Sequence, residues 1–255
     1  MVPLIKSLGK GLIDKLGYRL IKKQNAPLAD IEQNKEFMEL FKFCEPFSMT
    51  SIERMYSLYS AVHYVIRYEI PGDFVECGVW KGGSSMVIAK TLVSMGITNR
   101  KIYLYDTFEG MSQPTQDDVN IHGRQAKIKF EAVKTGIDSS NWCYADLESV
   151  RANMALTGIS SSQIELMKGK VEDTIPKNRP AGNIALLRLD TDWFESTLHE
   201  LTHLYPLVVK NGVLIIDDYG HWSGCKKAVD QYFGSLPDPI YLSRIDYTGR
   251  VSIKK

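Results

Sequence analysis

Two mostly apolar runs of the sequence each end in a pair of aspartates. The run "LLRL" leads into Asp190 and Asp192, and the run "GVLII" leads into Asp217 and Asp218. Such runs predict buried strands, and parallel strands bring their carboxyl ends to one edge of a sheet. Two unit charges about 4 Å apart repel by about 4 kcal/mol at an effective dielectric constant near 20. Four carboxylates gathered there must therefore hold a proton or share a cation.

The chemistry of these oxygens favours magnesium as the cation. Asp190, Asp217 and Asp218 offer three hard oxygen ligands, which suit an octahedral Mg²⁺ that keeps positions open for substrate oxygens. A metal in that position would lower the pKa of a bound hydroxyl and orient it. Asp192 could then take the proton of that hydroxyl as a general base. The alternative is that Asp192 or Asp218 only caps the helix or turn that follows.

A glycine-bearing turn follows another strand pattern in "DFVECGVWKGGSSM". Gly78 and Gly82 let the backbone approach a ligand closely, and Ser84 could cap the next helix. The spacing is not the G-x-G-x-x-G of a dinucleotide site. Glu76 stands two residues before the first glycine, where it would repel a pyrophosphate but suit an ammonium group.

The next predicted strand, "KIYLYD", ends in Asp106. An acid at the tip of the second strand is placed to accept both hydroxyls of a ribose. An adenosine that carries an amino-acid ammonium group is S-adenosylmethionine, so Glu76 and Asp106 together favour that cofactor. The alternative is that both acids merely cap loops.

From Asp73 onward, strand patterns alternate with helical patterns, which predicts an α/β fold. We expect a doubly wound, mostly parallel sheet of seven strands, closed by a C-terminal antiparallel hairpin around "YTG". A long helix precedes the sheet and begins at Ser48 or Thr50, with Glu53 completing a capping box. Residues 110–141 show no periodic pattern, and a connection of that length is usually a lid or binding loop. We therefore expect a helical extension over residues 1–47 and one domain over residues 48–255 that carries this lid.

The composition excludes several classes of protein. The chain has 255 residues and a formal net charge of +1, which gives no electrostatic case for nucleic-acid binding. Its four cysteines are far apart in the sequence, which argues against a zinc site and a disulfide framework. No apolar run is long enough to span a bilayer. A cytoplasmic location is therefore expected.

The first 24 residues, "MVPLIKSLGKGLIDKLGYRLIKKQ", alternate apolar and basic residues at helical spacing. They lack the continuous apolar core of a signal peptide. We expect a homo-oligomer in which this helix forms the contact. Weak contact with an anionic membrane surface is the alternative.

Several long motifs resemble the macrocin O-methyltransferase (TylF-like) family. They are "GDFVECGVWKGGSSM", "YLYDTFEGM", "ALLRLDTDWFESTLHELTHLYPLVVKNGVLIIDDYG" and "GCKKAVDQYF", in the expected order between Thr50 and Phe233. The resemblance implies a class I S-adenosylmethionine-dependent methyltransferase fold (a Rossmann-like sheet) and a divalent metal, usually Mg²⁺. Known members mostly methylate sugar hydroxyls on natural products.

The resemblance also implies roles for individual residues. The expected cofactor-binding residues are Glu76, Gly78, Gly82, Ser84, Asp106, Val171, Glu172 and Asp190. Asp190, Asp217 and Asp218 match the metal ligands, and Asp192 matches the general base. Two departures from the family pattern are the turn "GKVEDTIP", which lacks an aromatic pair after its first glycine, and the segment 111–141, which matches nothing assigned.

The expected function is the Mg²⁺-dependent transfer of a methyl group to a hydroxyl of an acceptor with vicinal hydroxyls, most often a sugar. One rival is a catechol-type enzyme, but such enzymes typically place a lysine where this chain has Trp193. A metal-dependent glycosyltransferase that uses the "DTD" string is another rival, although a phosphate cradle is missing. His221 and His122 are second choices for the base.

Overall fold

The computed structural model describes residues 30–255. It consists of a unit that ends at Asn34 and a unit that runs from Lys35 to Lys255. The predicted N-terminal amphipathic helix lies outside the described residues, and the predicted domain boundary at residue 47 stays a prediction. Within residues 30–255, no helix combines the length and the apolar character needed to cross a bilayer.

Helices and strands alternate along the second unit. The α-helices of the described chain are α1 Asp30–Gln33, α2 Lys35–Cys44, α3 Ile52–Arg67, α4 Gly83–Ser94, α5 Ala126–Val133, α6 Leu147–Ala155, α7 Val171–Asn178, α8 Phe194–His203 and α9 Ser223–Gly234. The strands are β1 Asp73–Cys77, β2 Ile102–Asp106, β3 Ile164–Lys168, β4 Ile184–Leu189, β5 Val208–Ile216, β6 Ser243–Arg244 and β7 Arg250–Ile253.

The strands form one seven-stranded sheet in the order β3-β2-β1-β4-β5-β7-β6. The first five strands in this order are parallel to one another, whereas β7 runs antiparallel to both β5 and β6. The predicted doubly wound sheet with a C-terminal antiparallel hairpin is confirmed. β4 is buried along its whole length, as expected for a central strand with both faces covered.

The register of the central strands brings the acids to one edge of the sheet. Cys77 pairs with Leu189, and Leu189 pairs with Ile216. The parallel hydrogen bonding continues one residue beyond these strands. The backbone N–H of Asp190 donates to the carbonyl oxygen of Cys77, and that of Asp217 donates to the carbonyl oxygen of Leu189. The two aspartate-bearing turns therefore leave the sheet side by side, as the sequence predicts.

The N-cap of helix α3 lies one residue after Thr50, the later of the two predicted caps. This N-cap is Ser51, whose hydroxyl accepts a hydrogen bond from the backbone N–H of Arg54. The predicted caps, Ser48 and Thr50, have other partners. The hydroxyl of Ser48 accepts from the backbone of Thr50, and the hydroxyl of Thr50 accepts from Arg188 in β4. The helix start is thus tied to the sheet beneath it.

The segment 110–141 contains more regular structure than its sequence pattern indicates. It holds helix α5 and two isolated β-bridges, one between Val119 and Gln125 and one between Lys134 and Ser140. Asp118 anchors it, since its buried carboxylate accepts from the backbone N–H of Thr115 at 2.6 Å and of Phe194 at 2.9 Å. The segment is therefore fixed to the start of helix α8, next to the acids.

Gly78 shows how closely the first turn approaches the aspartate loop. Its φ is +83°, and a Cβ there would overlap the carbonyl oxygen of Asp190. Gly96 has a similar φ of +69° but no atom within 4 Å of such a Cβ. Gly78 thus has a steric requirement that Gly96 lacks.

We expect Gly78→Ala to lower the free energy of unfolding by about 3 kcal/mol, because backbone strain and overlap act together. Gly96→Ala should cost about 1 kcal/mol through its left-handed conformation alone. Urea denaturation followed by tryptophan fluorescence measures both. An equal decrease in the free energy of unfolding of the two variants would mean that steric overlap with Asp190 does not destabilise Gly78→Ala.

Candidate active site

Three carboxylates meet at the edge of the sheet. One oxygen from each of Asp190, Asp192 and Asp218 lies within 4.8 Å of the others. Burial raises the pKa of Asp190 and of Asp218 well above the ordinary value, and it raises the pKa of Asp192 to about 7. Asp218 Oδ2 is buried without a hydrogen-bond partner. The donor set fits a hard divalent cation, which would supply that missing partner.

Asp217 lies beside this group but faces two arginines. Arg188 Nη2 donates to Asp217 Oδ1 at 2.6 Å, and Arg54 Nη1 contacts Asp217 Oδ2. Each carboxylate oxygen has two lone-pair positions, so the arginines leave one position free on each oxygen. The arginines fix the orientation of Asp217.

Arg188 is one functional residue that sequence reasoning missed. It is fully buried in β4 and pairs with Glu76, with Asp190 at 2.8 Å and with Asp217. Removing one partner from a buried ion pair costs about 3–5 kcal/mol, because the other charge is left uncompensated. The sequence feature that could have indicated its role is an arginine within an otherwise apolar strand pattern.

Glu76 lies beneath the glycine turn and lines neither of the two cavities described below. Its carboxylate accepts hydrogen bonds from the hydroxyls of Ser84 and Ser85 and pairs with Arg188. The structure therefore places Glu76 where it positions the start of helix α4. Gly82 precedes that helix with a φ of +91°.

The smaller cavity collects most of the predicted cofactor residues. It has a volume of about 130 Å³, and its lining includes Gly78, Asp106, Val171, Glu172 and Asp190. Asp106 holds the loop around it, since its carboxylate accepts from the backbone N–H groups of Val79, Trp80 and Phe108. Burial raises the pKa of Asp106, and these hydrogen bonds oppose the rise.

The larger cavity has a volume of about 680 Å³ and meets the smaller one at the aspartates. Asp190 and Asp192 line both cavities, together with Trp80 and Cys143. Ser84, Asp217 and Asp218 line only the larger one. Groups bound in the two cavities would therefore face each other across Asp190 and Asp192.

The two histidines differ in position. His221 lines the larger cavity, and its Nδ1 lies 3.2 Å from the hydroxyl of Tyr247. Burial lowers the pKa of His221, and His122 and Arg54 add to the effect. His122 itself is exposed and does not line that cavity.

Three tryptophans form a rigid wall next to the acids. Trp193 lies 5.5 Å from Trp142 and 5.1 Å from Trp222 between ring centroids, with the rings nearly perpendicular. Trp193 is buried and donates from its indole N–H to the carbonyl oxygen of Ser112. Trp142 and Trp222 line the larger cavity. The wall therefore belongs both to the hydrophobic core and to the lining of the larger cavity.

The family model for macrocin-O-methyltransferase (TylF) matches residues 22–253. The chain belongs to this family. The expected family membership is confirmed, and the protein is an S-adenosylmethionine-dependent O-methyltransferase.

Two curated relatives of the TylF family are similar over most of this chain. The 8-demethyl-8-(2,3-dimethoxy-alpha-L-rhamnosyl)-tetracenomycin-C 4'-O-methyltransferase of Streptomyces olivaceus is 35% identical over 204 residues, 79% of this chain and 73% of that protein. The mycinamicin III 3''-O-methyltransferase of Micromonospora griseorubida is 30% identical over 185 residues, 72% of this chain and 69% of that protein. Among solved structures, the O-methyltransferase NovP is 30% identical, covers 82% of each chain and gives a TM-score of 0.71.

This TylF-family chain contains a further buried acid that the sequence did not reveal. Glu200 in helix α8 is 0% exposed, and its Oε1 accepts a hydrogen bond from the hydroxyl of Thr191 at 2.9 Å. Its Oε2 has no hydrogen-bond partner. Burial raises the pKa of Glu200 well above its ordinary value of 4.5. Glu200 thus supports the turn that carries Asp190 and Asp192 through the hydrogen bond from Thr191.

We expect Glu200→Gln to stabilise the protein near neutral pH while keeping the hydrogen bond from Thr191. Below about pH 4.5, Glu200 is protonated in both the folded and the unfolded chain, so its ionisation does not change the free energy of unfolding. Above that pH the unfolded chain ionises first, and this residue's contribution to stability falls by about 1.4 kcal/mol per pH unit until the folded pKa is reached. The advantage of Glu200→Gln should therefore grow with pH.

Urea denaturation at several pH values measures this difference. Glu195→Gln is the matched control, since Glu195 is an exposed residue of the same helix and should alter stability little at any pH. A stability difference between Glu200→Gln and the natural protein that does not change with pH would contradict the expectation.

Proposed function

We propose that this protein methylates a sugar hydroxyl of a glycosylated small molecule and uses a divalent cation, Mg²⁺, to do so. The observation that carries the proposal is the placement of Asp190 and Asp192 where the two cavities meet. The rhamnosyl group named for the Streptomyces olivaceus relative supports a sugar acceptor. Two hydroxyls on neighbouring carbons of the sugar could fill two coordination positions that the aspartates leave open on the cation.

In this proposal S-adenosylmethionine extends from the smaller cavity into the adjoining part of the larger one, which Ser84 lines, and supplies a methyl group already activated on a sulfonium. Asp106 accepts the ribose hydroxyls, and Val171 and Glu172 contact the adenine side. Gly78, Gly82 and Ser84 form the turn around the methionine end, and Glu76 holds that turn from below through Ser84. The lining of the smaller cavity by Gly78, Asp106, Val171 and Glu172 supports this division of roles, as does the hydrogen bond that Ser84, which lines the larger cavity, donates to Glu76.

Asp190, Asp217 and Asp218 would hold the cation, which when bound would acidify and orient the acceptor hydroxyl. Arg54 and Arg188 keep Asp217 aimed at the cavity. Asp192 accepts the hydroxyl proton as the oxygen attacks the methyl carbon and the carbon–sulfur bond breaks. The tryptophan wall excludes water and gives the sugar ring a flat surface.

Three features outside the active site stay proposals from the sequence. They are a cytoplasmic location, a homo-oligomer formed through the N-terminal residues, and weak contact of those residues with a membrane surface.

Isothermal calorimetry with S-adenosylmethionine, S-adenosylhomocysteine and UDP-glucose tests the cofactor. We expect the first two ligands to bind, and Asp106→Ala to weaken that binding by at least about tenfold through lost charge-assisted hydrogen bonds. Asp146→Ala, which removes an exposed helix-cap carboxylate, is the control and should leave the affinity unchanged. Binding of UDP-glucose alone would instead support a glycosyltransferase.

A comparison of Asp192→Asn with Asp217→Asn tests which residue acts as the general base and which one binds the cation. We expect Asp192→Asn to bind Mg²⁺ within about threefold of the natural protein but to lose at least about a hundredfold in methyl transfer. Asp217→Asn should weaken Mg²⁺ binding by about tenfold or more. Calorimetric Mg²⁺ titration and transfer of a radiolabelled methyl group measure the two quantities. Loss of Mg²⁺ binding in Asp192→Asn, but not in Asp217→Asn, would reverse the two assignments.

A further inference from the structure

Helix α5 presents positive charge to the larger cavity. The residues that line the cavity at positions 125, 128, 129 and 132 have the spacing of one helix face. Lys129 is the charged residue on this face, and its Nζ lies 4.0 Å from the centroid of the Trp142 ring. Arg124 lines the same cavity just before the helix begins.

The acids of the same segment are engaged elsewhere. Asp118 is buried against backbone N–H groups. The remaining acids form ion pairs: Asp117 with Lys227, Glu131 with Lys134 and Asp138 with Lys170. Neither Arg124 nor Lys129 forms an ion pair with any acid of residues 30–255. Two exposed cations on the lining of the cavity are thus available to a ligand.

The same cavity also carries negative charge on its lining. Asp190, Asp192 and Asp218 line it and would repel an anionic group placed beside them. Met49 and Ile128, which are 61% and 72% exposed, add apolar surface to the lining. The cavity therefore suits a molecule that brings a neutral hydroxyl-bearing part to the acids and an anionic part to Arg124 and Lys129.

We propose that the acceptor sugar carries a phosphate or diphosphate ester remote from the methylated hydroxyl, and that Arg124 and Lys129 bind it. This inference rests on the proposed function. A guanidinium and an ammonium from separate positions suit a group with several oxygens, such as a diphosphate, better than a single carboxylate. The volume of about 680 Å³ leaves room beyond one hexose for such a group. A nucleoside or an isoprenoid lipid could supply it.

Calorimetry on the full chain, saturated with S-adenosylhomocysteine and Mg²⁺, tests the proposal. The probes are thymidine 5'-diphosphate and dimethylallyl diphosphate, each compared with its neutral counterpart, thymidine or dimethylallyl alcohol. At least one diphosphate should bind more tightly than its neutral counterpart, and added sodium chloride should weaken the binding. The tighter diphosphate identifies the source as nucleoside or lipid.

The double variant Arg124→Gln/Lys129→Gln should weaken diphosphate binding by about tenfold, as expected for two partly exposed ion pairs. Lys127→Gln/Arg151→Gln is the matched control. It removes the same charge from exposed residues that do not line the cavity, and it should leave the affinity unchanged.

Three results would overturn the proposal: equal weakening in both double variants, no diphosphate binding, or binding that Asp218→Asn abolishes while the Arg124/Lys129 variant retains it. The last would place the diphosphate on the cation held by the aspartates. Because S-adenosylhomocysteine binding is measured in the same samples, these results leave the proposed methyl transfer standing. Failure to bind S-adenosylhomocysteine would count against the proposed function itself.

Discussion

The active site depends on one buried arginine. Arg188 lies within the central strand β4 and pairs with Glu76 on one side and with Asp190 and Asp217 on the other. Without it, three carboxylates would remain close together in a region of low dielectric, where their repulsion is strong. The arginine therefore allows the sheet to carry acids at the ends of three neighbouring strands, β1, β4 and β5.

Some of the other acids near the site form ion pairs, whereas others have a raised pKa, which favours their protonated form. Arg54 and Asp246 extend the ion-pair network from helix α3 to the C-terminal hairpin, at 3.0 Å. Asp192 and Asp218 have no arginine partner among the described residues, and burial raises the pKa of each. The protein thus compensates the charge of Asp190 and Asp217 with its own arginines and leaves Asp192 and Asp218 without such a partner. Of these two, Asp192 lines both cavities and Asp218 lines only the larger one.

Much of this arrangement could be predicted because it follows from short-range patterns. Apolar runs that end in acids, and the alternation of strand and helix, determine both the sheet and the edge at which Asp190 and Asp217 meet. The pairing of Arg188 and the burial of Glu200 could not be predicted, because each depends on partners far away in the sequence. Helix α5 was missed because its eight residues are too few for a clear period, and Ser51 replaced Thr50 as cap because the hydroxyl of Thr50 bonds to Arg188.

The anchoring of the segment 110–141 has an evolutionary consequence. Asp118 ties it to helix α8, and its residues between 120 and 132 line only the larger cavity. Substitutions there change what the larger cavity accepts without altering the sheet, the aspartates or the smaller cavity. New acceptors can therefore be acquired by descendants of this enzyme while the methyl donor and the chemistry of transfer are inherited unchanged.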